Sequence, residues 1–433
     1  MLKRVRNHLA RTKPGVSQEP SAAQEPSALM SIDMILLGSV FALLAIGLVL
    51  VGSASMDVSQ ETFGDPAKIV LKQLVFMVVG LVVMAVMTLM PMNRIRQFSW
   101  VGLLIAFSLL LLVLVVGREI NGSVRWIPLG FFNLQASEVA KLCVVIYMSG
   151  YLVRHLDEVR TQWSGFIKPM VVMFGLALLL LAEPDLGALV VLTVAVMGMI
   201  FMAGARFHQF LAMIGVVILL IVLLIWMEPY RMARITSYMD PWAHAYGSGY
   251  QLTQALIAFG RGAWFGQGLG NSIQKLFYLP EAHTDFVFAV LAEEFGVIGS
   301  LLILGLFLFV AWRSLHIGSR AESKGLLFHA YVAYGIALLF ASQAFINIGV
   351  NTGLLPTKGL ALPLISYGGS SMIVNCMAFG ILFRIDHERR LAKAVEEKPV
   401  AGRKASEQKA RQELERTVET TSQGIVGGRR RYV

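Results

Sequence analysis

Ten stretches of this sequence are apolar and long enough to cross a lipid bilayer as helices. A helix needs about 20 mostly apolar residues to span the hydrocarbon core. The candidate spans cover approximately residues 33–53, 68–91, 98–117, 136–153, 166–182, 187–204, 207–227, 285–312, 327–350 and 364–385. A closed β-barrel would need shorter segments of alternating polarity, and these are absent. The sequence therefore predicts an all-α polytopic membrane protein with about ten transmembrane helices.

The composition excludes the main alternatives to a membrane protein. Hydrophobic residues make up 56% of the 433 residues, and charged residues only 15%, against about 25% in an ordinary soluble domain. So few charges cannot coat several water-soluble domains, and this apolar content excludes disorder for most of the chain. Because the chain has two cysteines, both inside apolar runs, it is not a disulfide scaffold or a cysteine-rich metal protein.

The distribution of basic residues predicts which ends of the spans face the cytoplasm. Residues 1–30 are polar and basic and have no signal-peptide core, so we expect a disordered cytoplasmic leader. Ten spans then place both termini on the cytoplasmic side, as the positive-inside rule favours. The connections on that side carry Arg94, Arg96, Arg154, Arg160, Arg206, Arg313, Arg320 and Lys324.

Three regions follow from this orientation: the leader 1–30, a membrane domain over 31–388, and a charged cytoplasmic tail over 389–433. The tail is expected to lie on an anionic membrane surface. Nucleic-acid binding is disfavoured, since no folded basic domain accompanies the basic ends. Outside, a long loop over 228–284 joins spans seven and eight, and loops of this length are usually functional or disordered. Its composition predicts a folded cap with a short amphipathic helix over Gly249–Gly260.

Charged residues in or beside a bilayer are costly, so each is a functional hypothesis by default. Glu138 and Lys141 are three residues apart at the start of span four, where they can pair on one helix face. A structural ion pair is the favoured interpretation. Arg125 beside Trp126 is either an interfacial anchor or an anion ligand, because a guanidinium group binds phosphate with two hydrogen bonds.

Spans five and six are separated only by Glu183-Pro184-Asp185-Leu186-Gly187, which is a tight loop or a break in one tilted helix. The two carboxylates, Glu183 and Asp185, would then bind a cation, or Asp185 would cap the next helix. Capping and ordering of the loop are the favoured interpretation.

Titratable residues are concentrated where the long outer loop enters span eight: Glu281, His283 and Asp285. A carboxylate at such a place is partly desolvated, which raises its pKa and suits it to proton abstraction. The alternative is that Thr284 or Asp285 only caps the helix. One His and one Asp are a weak indication of a metal site. Glu293 and Glu294, further along the helix, are interpreted as members of a buried network.

Glycine and proline are dense between Asn347 and Ser371, which predicts a shaped loop that re-enters the membrane. Such a loop is tolerated at membrane depth only where it lines a cavity or is covered by protein. Lys358 would place a cation in that cavity, unless the segment is a simple turn with a lysine that reaches to the interface.

Carboxylates and cations on one membrane face together indicate an anionic, lipid-linked substrate. Neither G-x-x-x-x-G-K-[ST] nor a G-x-G-x-x-G segment in a plausible βαβ unit occurs in the sequence. If the chain is an enzyme, the energy for its reaction must therefore come from the substrate itself.

Several of these segments resemble the signature of the SEDS (shape, elongation, division, sporulation) family of membrane proteins. The segments Gly122–Ile127, Glu183–Gly187 and His283–Phe286 match family landmarks in order, and the resemblance covers about residues 33–388. The longest matching run contains Asn347, Gly353, Leu354, Pro356, Gly359, Ser366, Tyr367, Gly368, Gly369, Ser370 and Ser371.

Two further segments, Gly247–Leu252 and Leu279–His283, are more similar to the cell-division branch of the family than to the elongation branch. One departure is Ala136, where the family usually has Pro, so the bend at the start of span four is expected to be softer.

The resemblance implies a peptidoglycan glycosyltransferase that polymerises lipid II at the division septum, on the outer face of the cytoplasmic membrane. Asp285 would be the general base, and Arg125 and Lys358 would bind the departing diphosphate. No cofactor is required, although a divalent cation, Mg²⁺ or Mn²⁺, held in part by Asp285, would assist. The implied partners are a class B penicillin-binding protein, which is the septal transpeptidase, and other divisome membrane proteins. The remaining proposed substrate ligands are Glu281, His283, Ser366 and Ser370, with Glu138, Lys141, Glu183 and Asp185 as supporting residues.

Two other functions fit the same features. A flippase that moves lipid II across the bilayer would also use broken helices and charges inside the membrane, although we find no internal repeat and the charges lie on one face. A non-catalytic scaffold that recruits the transpeptidase is the third possibility.

Overall fold

The computed structural model describes residues 31–120, 123–130, 132–227, 229–357 and 359–392. The predicted leader and residues 393–433 of the predicted tail lie outside these ranges. The described chain is predominantly helical. In chain order its helices are α1 (Met34–Phe63), α2 (Lys68–Leu89), α3 (Met92–Gln97), α4 (Ser99–Val116), α5 (Ala136–Arg154), α6 (Leu156–Thr161), α7 (Ser164–Ala182), α8 (Leu186–Met202), α9 (Phe207–Trp226), α10 (Pro229–Met239), α11 (Tyr250–Gly262), α12 (Val287–Glu322), α13 (Leu327–Asn351) and α14 (369–392).

Each of the ten predicted spans coincides with one of these helices. In the described part of the chain, seven are long and apolar enough to cross a membrane: α1, α2, α4, α5, α7, α12 and α13. Two shorter apolar helices, over Leu186–Met202 and Phe207–Leu220, correspond to spans six and seven, and α14 corresponds to span ten. The chain is therefore a multi-pass membrane protein, and the count of ten spans and the side of the termini stay predictions.

The two possibilities for spans five and six are resolved in favour of two helices joined by a tight loop. Helix α7 ends at Ala182, and α8 begins at Leu186 after its N-cap residue, Asp185. The Asp185 side chain accepts a hydrogen bond from the Ala188 N–H at 3.1 Å, which satisfies a donor that a helix N-terminus otherwise leaves unpaired. The prediction that Asp185 caps the next helix is confirmed.

A small sheet precedes α5, in a segment for which no strand was predicted. Its strands are β1 (Arg118–Ile120), β2 (Ser123–Pro128) and β3 (Asn133–Gln135), paired antiparallel in that order. The Asn-Gly dipeptide at 121–122 was the available sequence signal, because this pair favours two-residue hairpin turns. The sheet matters because β2 carries Arg125.

The long loop after α9, which is predicted to lie outside and is called the outer loop, contains two helices, α10 and α11. The predicted amphipathic helix over Gly249–Gly260 is confirmed as α11, which runs to Gly262. After α11, the loop forms main-chain hydrogen bonds to α12 at the point where that helix is broken at Gly296. Gly296 has a φ of 68°, which only glycine adopts readily. There, Val297 N–H donates to Ala263 O at 2.9 Å, and Gln267 N–H donates to Glu293 O at 2.9 Å. The loop thus replaces helical hydrogen bonds that the break removes.

Charged side chains reinforce this junction. Glu293 and Glu294 are completely or almost completely buried, at 0% and 1% exposed. Glu293 accepts from Arg261 at 2.8 Å, and Glu294 accepts from Lys275 at 3.0 Å and from the Ser53 hydroxyl of α1 at 2.5 Å. The prediction that these two glutamates belong to a buried network is confirmed, and the network ties the outer loop to α1 and α12.

Candidate active site

A cavity of about 1830 Å³ joins the segments that the sequence places on the outer side. One part of it is polar and is lined by Arg125, Glu281 and Asp285. The other part is apolar and is lined by side chains from α7, α8 and α9 that recur at helical spacing. Among them are Met170, Phe174, Leu178, Val190, Val194, Met213, Val217 and Leu220. The lining of the cavity therefore combines charged groups with a large apolar surface, as a site for an amphipathic molecule would.

Asp285 lies at the polar end, two residues before α12 begins at Val287. The N-cap residue is Phe286, and its side chain makes no capping hydrogen bond, so the alternative that Thr284 or Asp285 caps this helix from its side chain is wrong. The Thr284 hydroxyl instead donates to Glu281 Oε2 at 2.6 Å. The Asp285 carboxyl group is half-buried in the cavity wall and remains available for chemistry.

Arg125 reaches the same position from strand β2. Its guanidinium group donates to the main-chain oxygens of Glu183 and Pro184, which fixes it between the sheet and the α7–α8 loop. A methyl group built on Gly359 would lie 3.0 Å from Asp285 Oδ2 and 3.7 Å from Arg125 Nη1. The carboxylate and the cation therefore both lie close to one glycine of the segment between α13 and α14, and a side chain there would crowd both.

The surroundings of Asp285 favour its protonated form more than water does. Together these surroundings raise the pKa of Asp285 to about 7. Burial is the largest cause, the carboxylates of Glu281 and Asp185 also raise the pKa, and Arg125 lowers it. Burial lowers the pKa of His283, against the effect of Glu281. A carboxylate with a pKa near neutrality accepts and releases a proton efficiently at physiological pH.

Glu183 is the second perturbed carboxyl group near Arg125. It is fully buried at 0% exposed, and neither of its carboxyl oxygens has a hydrogen-bond partner among the described residues. The pKa of Glu183 is raised to about 8, chiefly by burial and also by the neighbouring Asp185, against a lowering effect of Arg125. Asp185 also accepts from the Ser137 hydroxyl at 2.8 Å. Both residues therefore support the loop that holds Arg125, while neither lines the cavity.

Glu138 and Lys141 form the predicted pair, with Lys141 Nζ 2.9 Å from Glu138 Oε1 and both side chains almost completely buried. Lys141 also donates to Gln343 Oε1 of α13 at 2.6 Å, and Gln343 donates to Ala361 O at 3.0 Å. Glu138 lines the cavity. The pair links α5, α13 and the segment after Gly359, which is the supporting role that was predicted.

Three proposed ligands, Ser366, Ser370 and His283, do not line the cavity. The Ser366 hydroxyl accepts from Leu362 N–H at 2.8 Å, and the Ser370 hydroxyl donates to Asn133 O at 3.0 Å. Both serines are nearly fully buried, so the structure places them as supports of the segment between α13 and α14. The His283 ring lies 5.7 Å from the Tyr367 ring, and its main-chain oxygen accepts from Tyr367 N–H at 3.0 Å. His283 Nδ1 has no hydrogen-bond partner among the described residues.

Lys358 lies outside the described residues, so its role as a diphosphate ligand stays a prediction. The cavity wall contains other cations that the sequence interpretation missed: Lys72, Arg118 and Arg234. Arg234 donates to Thr357 O at 3.0 Å and therefore contacts the residue just before Lys358. Lys72 could have been found from the sequence, because a lysine within an apolar helix is an intramembrane charge.

Within the described ranges, no group of three or more His, Cys, Asp or Glu side chains is arranged to hold a metal ion. A Mg²⁺ ion bound by one or two carboxylates and by substrate phosphates needs no such group, and Asp285 is placed to supply one carboxylate.

These features define a class: a multi-pass helical membrane protein with an acid–base group and cations at the polar end of a largely apolar cavity. Residues 34–391 match the family model of the FtsW, RodA and SpoVE proteins, described as "Cell cycle protein". The chain belongs to this family, and the resemblance inferred from its motifs is confirmed.

Named relatives agree with this assignment. The probable peptidoglycan glycosyltransferase FtsW of Hahella chejuensis is 54% identical over 361 residues, which cover 83% of this chain and 91% of that protein. The protein of the same name from Halomonas elongata is 53% identical over 373 residues, covering 85% and 93%.

Solved structures share the fold. One chain of a peptidoglycan synthase complex that coordinates polymerization and crosslinking is 28% identical, with a TM-score of 0.70, over 83% of this chain and 99% of that one. The rod shape determining protein RodA of Thermus thermophilus is 27% identical, with a TM-score of 0.62, over 84% and 99%.

Proposed function

We propose that this chain is a peptidoglycan glycosyltransferase that polymerises lipid II for septal cell-wall synthesis. The observation that carries the proposal is that Asp285 and Arg125 both lie beside Gly359, in the wall of a cavity that is also lined by many apolar side chains of α7, α8 and α9. A lipid-linked sugar diphosphate has the same division into a polar head and a long apolar tail. Relatives named as probable peptidoglycan glycosyltransferases support the assignment.

The reaction requires a base and a stabilised leaving group. An acceptor sugar hydroxyl attacks the anomeric carbon of the donor, its O–H proton passes to the Asp285 carboxylate, and a glycosidic bond forms. The bond between the anomeric carbon and the diphosphate breaks, and undecaprenyl diphosphate leaves with the electron pair and with inversion at that carbon. Arg125 stabilises the charge that develops on the diphosphate, as positioned cations do for transferring phosphoryl groups. Lys358 is proposed to act beside it.

A divalent cation is proposed as an aid to this chemistry and not as a requirement. When bound, it would neutralise part of the charge on the departing diphosphate. Asp285 would contribute one carboxylate oxygen, with Glu281, which also lines the cavity, as the neighbouring carboxylate. The remaining oxygen ligands would come from the substrate and water, as is usual for Mg²⁺.

The pH dependence follows from the pKa of about 7 for Asp285. Only the deprotonated carboxylate accepts a proton, so the rate of glycan formation is expected to rise with pH through about 7 and then level off. Because the Glu281 carboxylate raises this pKa, Glu281→Gln should move the rising limb to lower pH. Initial rates measured from about pH 5.5 to 8.5 check both statements, and a flat profile would argue against Asp285 as the base.

Purified full-length chain reconstituted with lipid II tests the function itself. Glycan strands that are digested by a muramidase support the polymerase. Movement of lipid II between leaflets without polymer would favour the flippase, and neither activity, with the transpeptidase partner present, would favour a scaffold.

The active site is proposed to face outward. The predicted outer segments meet at one end of the helices, as the contacts of Arg125 with the α7–α8 loop and of Gly359 with Asp285 illustrate. The predicted inner segments meet at the other, where Arg313 pairs with Asp33 at 2.7 Å and Glu388 accepts from Met92 N–H at 3.0 Å.

Single-cysteine labelling checks this orientation. In a background lacking Cys143 and Cys376, Ser248→Cys and Asn271→Cys are expected to react with an impermeant thiol reagent from outside, because both positions are exposed. The equally exposed positions Gln97→Cys and Ser319→Cys should react only after the membrane is opened. The reverse pattern would place the active site in the cytoplasm.

The proposed partners are a class B penicillin-binding protein, which is the septal transpeptidase, and other divisome membrane proteins. Polymerised strands must be crosslinked where they are made. A solved relative of this fold lies in a synthase complex that coordinates polymerization and crosslinking. Location at the division septum of the cytoplasmic membrane follows from the same proposal.

A further inference from the structure

Two asparagine side chains of α13 hold the main chain of Asp285. The side-chain amides of Asn347 and Asn351 each donate a hydrogen bond to the Asp285 main-chain oxygen at 2.9 Å. Asn347 and Asn351 are four residues apart on the helix, so both project to the same face. They are nearly or fully buried, at 2% and 0% exposed, so each bond is made away from competing water.

The same amides have further partners on both sides of the site. Asn351 Oδ1 accepts from Ala289 N–H at 3.1 Å, in the first turn of α12. Since the α12 N-cap residue makes no side-chain capping bond, Asn351 caps that helix from a different helix. Asn347 Nδ2 also donates to Leu360 O at 2.6 Å, beside the glycine that packs against the Asp285 carboxylate. Asn351 Nδ2 in turn donates to Asn347 O at 2.9 Å.

These contacts join the two segments whose separation decides the geometry of the site. One is the start of α12, which carries Asp285. The other is the segment around Gly359 and Leu360, in which Gly359 lies close to both the Asp285 carboxylate and the Arg125 guanidinium. The asparagines bind the main-chain oxygen of Asp285 and do not use its carboxylate. The carboxylate can therefore face the cavity.

We propose that Asn347 and Asn351 are positioning residues that set the location of the Asp285 carboxylate relative to the bound substrate. The inference rests on the function proposed above for Asp285. A general base must lie within about 2.6–3.2 Å of the proton that it removes, and a displacement of about 1 Å lowers a rate by up to about 100-fold. Neither asparagine lines the cavity, so substrate affinity should not depend on them.

Alanine variants test the proposal by separating turnover from binding. For Asn347→Ala and Asn351→Ala, kcat for lipid II polymerisation is expected to fall while KM stays within about twofold of wild type. In the double variant, the loss should approach about 100-fold and exceed the product of the two single losses, because either amide alone still holds the same carbonyl oxygen. Rates are measured with the full-length chain and its transpeptidase partner in proteoliposomes, per folded molecule as judged by size-exclusion chromatography.

Ser314→Ala is the matched control. Ser314 is likewise a buried polar residue in a helix, at 1% exposed, but its hydroxyl donates to Val310 O of its own helix at 2.7 Å and it does not line the cavity. Its kcat and KM should equal those of wild type. A purely structural role of Asn347 and Asn351 would lower the yield of folded protein and leave kcat per folded molecule unchanged.

The outcomes separate this inference from the proposed function. If wild-type protein makes no glycan, the proposed function fails. If wild type makes glycan and both single variants keep wild-type kcat per folded molecule, the positioning role is overturned. Should the double variant fail to fold, the two single variants decide, and a raised KM with unchanged kcat in either would also contradict the proposal.

Discussion

Asp285→Asn is expected to be inserted, folded and bound to its transpeptidase partner, and to make essentially no glycan. Asparagine has the size of aspartate, and the main-chain bonds from Asn347 and Asn351 do not involve the replaced group. The amide cannot accept the acceptor's proton or carry negative charge. Loss of a positioned general base costs about two to four orders of magnitude in rate. Initial rates of lipid II polymerisation measure the effect.

Two variants serve as controls for this experiment. Asp240→Asn changes an exposed aspartate of the outer loop, whose Oδ1 accepts from Ala243 N–H at 3.1 Å, and should retain wild-type activity. Glu281→Gln removes the neighbouring carboxylate of the cavity and should retain substantial activity with an altered pH profile. If Asp285→Asn polymerised well and Glu281→Gln did not, Glu281 would be the base.

Arg125→Ala is expected to produce the second-largest loss. Hydrogen bonds to charged groups contribute about 1.5–3 kcal/mol, and about 1.4 kcal/mol corresponds to a tenfold change in rate. The variant should therefore lose roughly 10- to 150-fold in kcat/KM. The protein should stay folded, although the loop carbonyls of Glu183 and Pro184 lose their donor. Turnover at limiting lipid II measures the loss.

Arg125→Lys separates charge from geometry at this position. Lysine keeps the positive charge but lacks the planar fork that reaches two carbonyl oxygens at once. An intermediate activity is expected, between wild type and Arg125→Ala. Near-wild-type turnover in Arg125→Ala would make Arg125 an interfacial anchor only, which was the alternative interpretation of its place beside Trp126.

The helices and the local contacts could be predicted because the signals for them are local. The apolar runs predicted all ten helices, and most helix ends lie within a few residues of the predicted ones. The exceptions are α1 and α12, which extend about ten residues beyond the predicted spans, and α14, which begins at 369 and runs to 392 where 364–385 was predicted. The Glu138–Lys141 pair and the Asp185 cap each depend on residues within one helical turn. Such contacts follow from spacing along the chain.

The contacts that assemble the site could not be predicted because they join distant parts of the chain. The hydrogen bonds from Asn347 and Asn351 to Asp285 cross more than sixty positions, and the loop inserted at Gly296 depends on the backbone conformation of that glycine. Likewise, the sequence shows that Lys72 lies within an apolar helix, α2. Only the fold shows that Lys72 lines the same cavity as Asp285.

A structure of the Asp285→Asn chain with lipid II bound tests the central claim most directly, because the variant should retain its substrates without consuming them. The diphosphate is expected to contact Arg125, the polyprenyl chain to lie between α7, α8 and α9, and an acceptor hydroxyl to lie within about 3.2 Å of the side chain at position 285. Two results would contradict the account. One is lipid II bound outside the cavity, and the other is lipid II bound in the cavity with no sugar hydroxyl near the side chain at position 285.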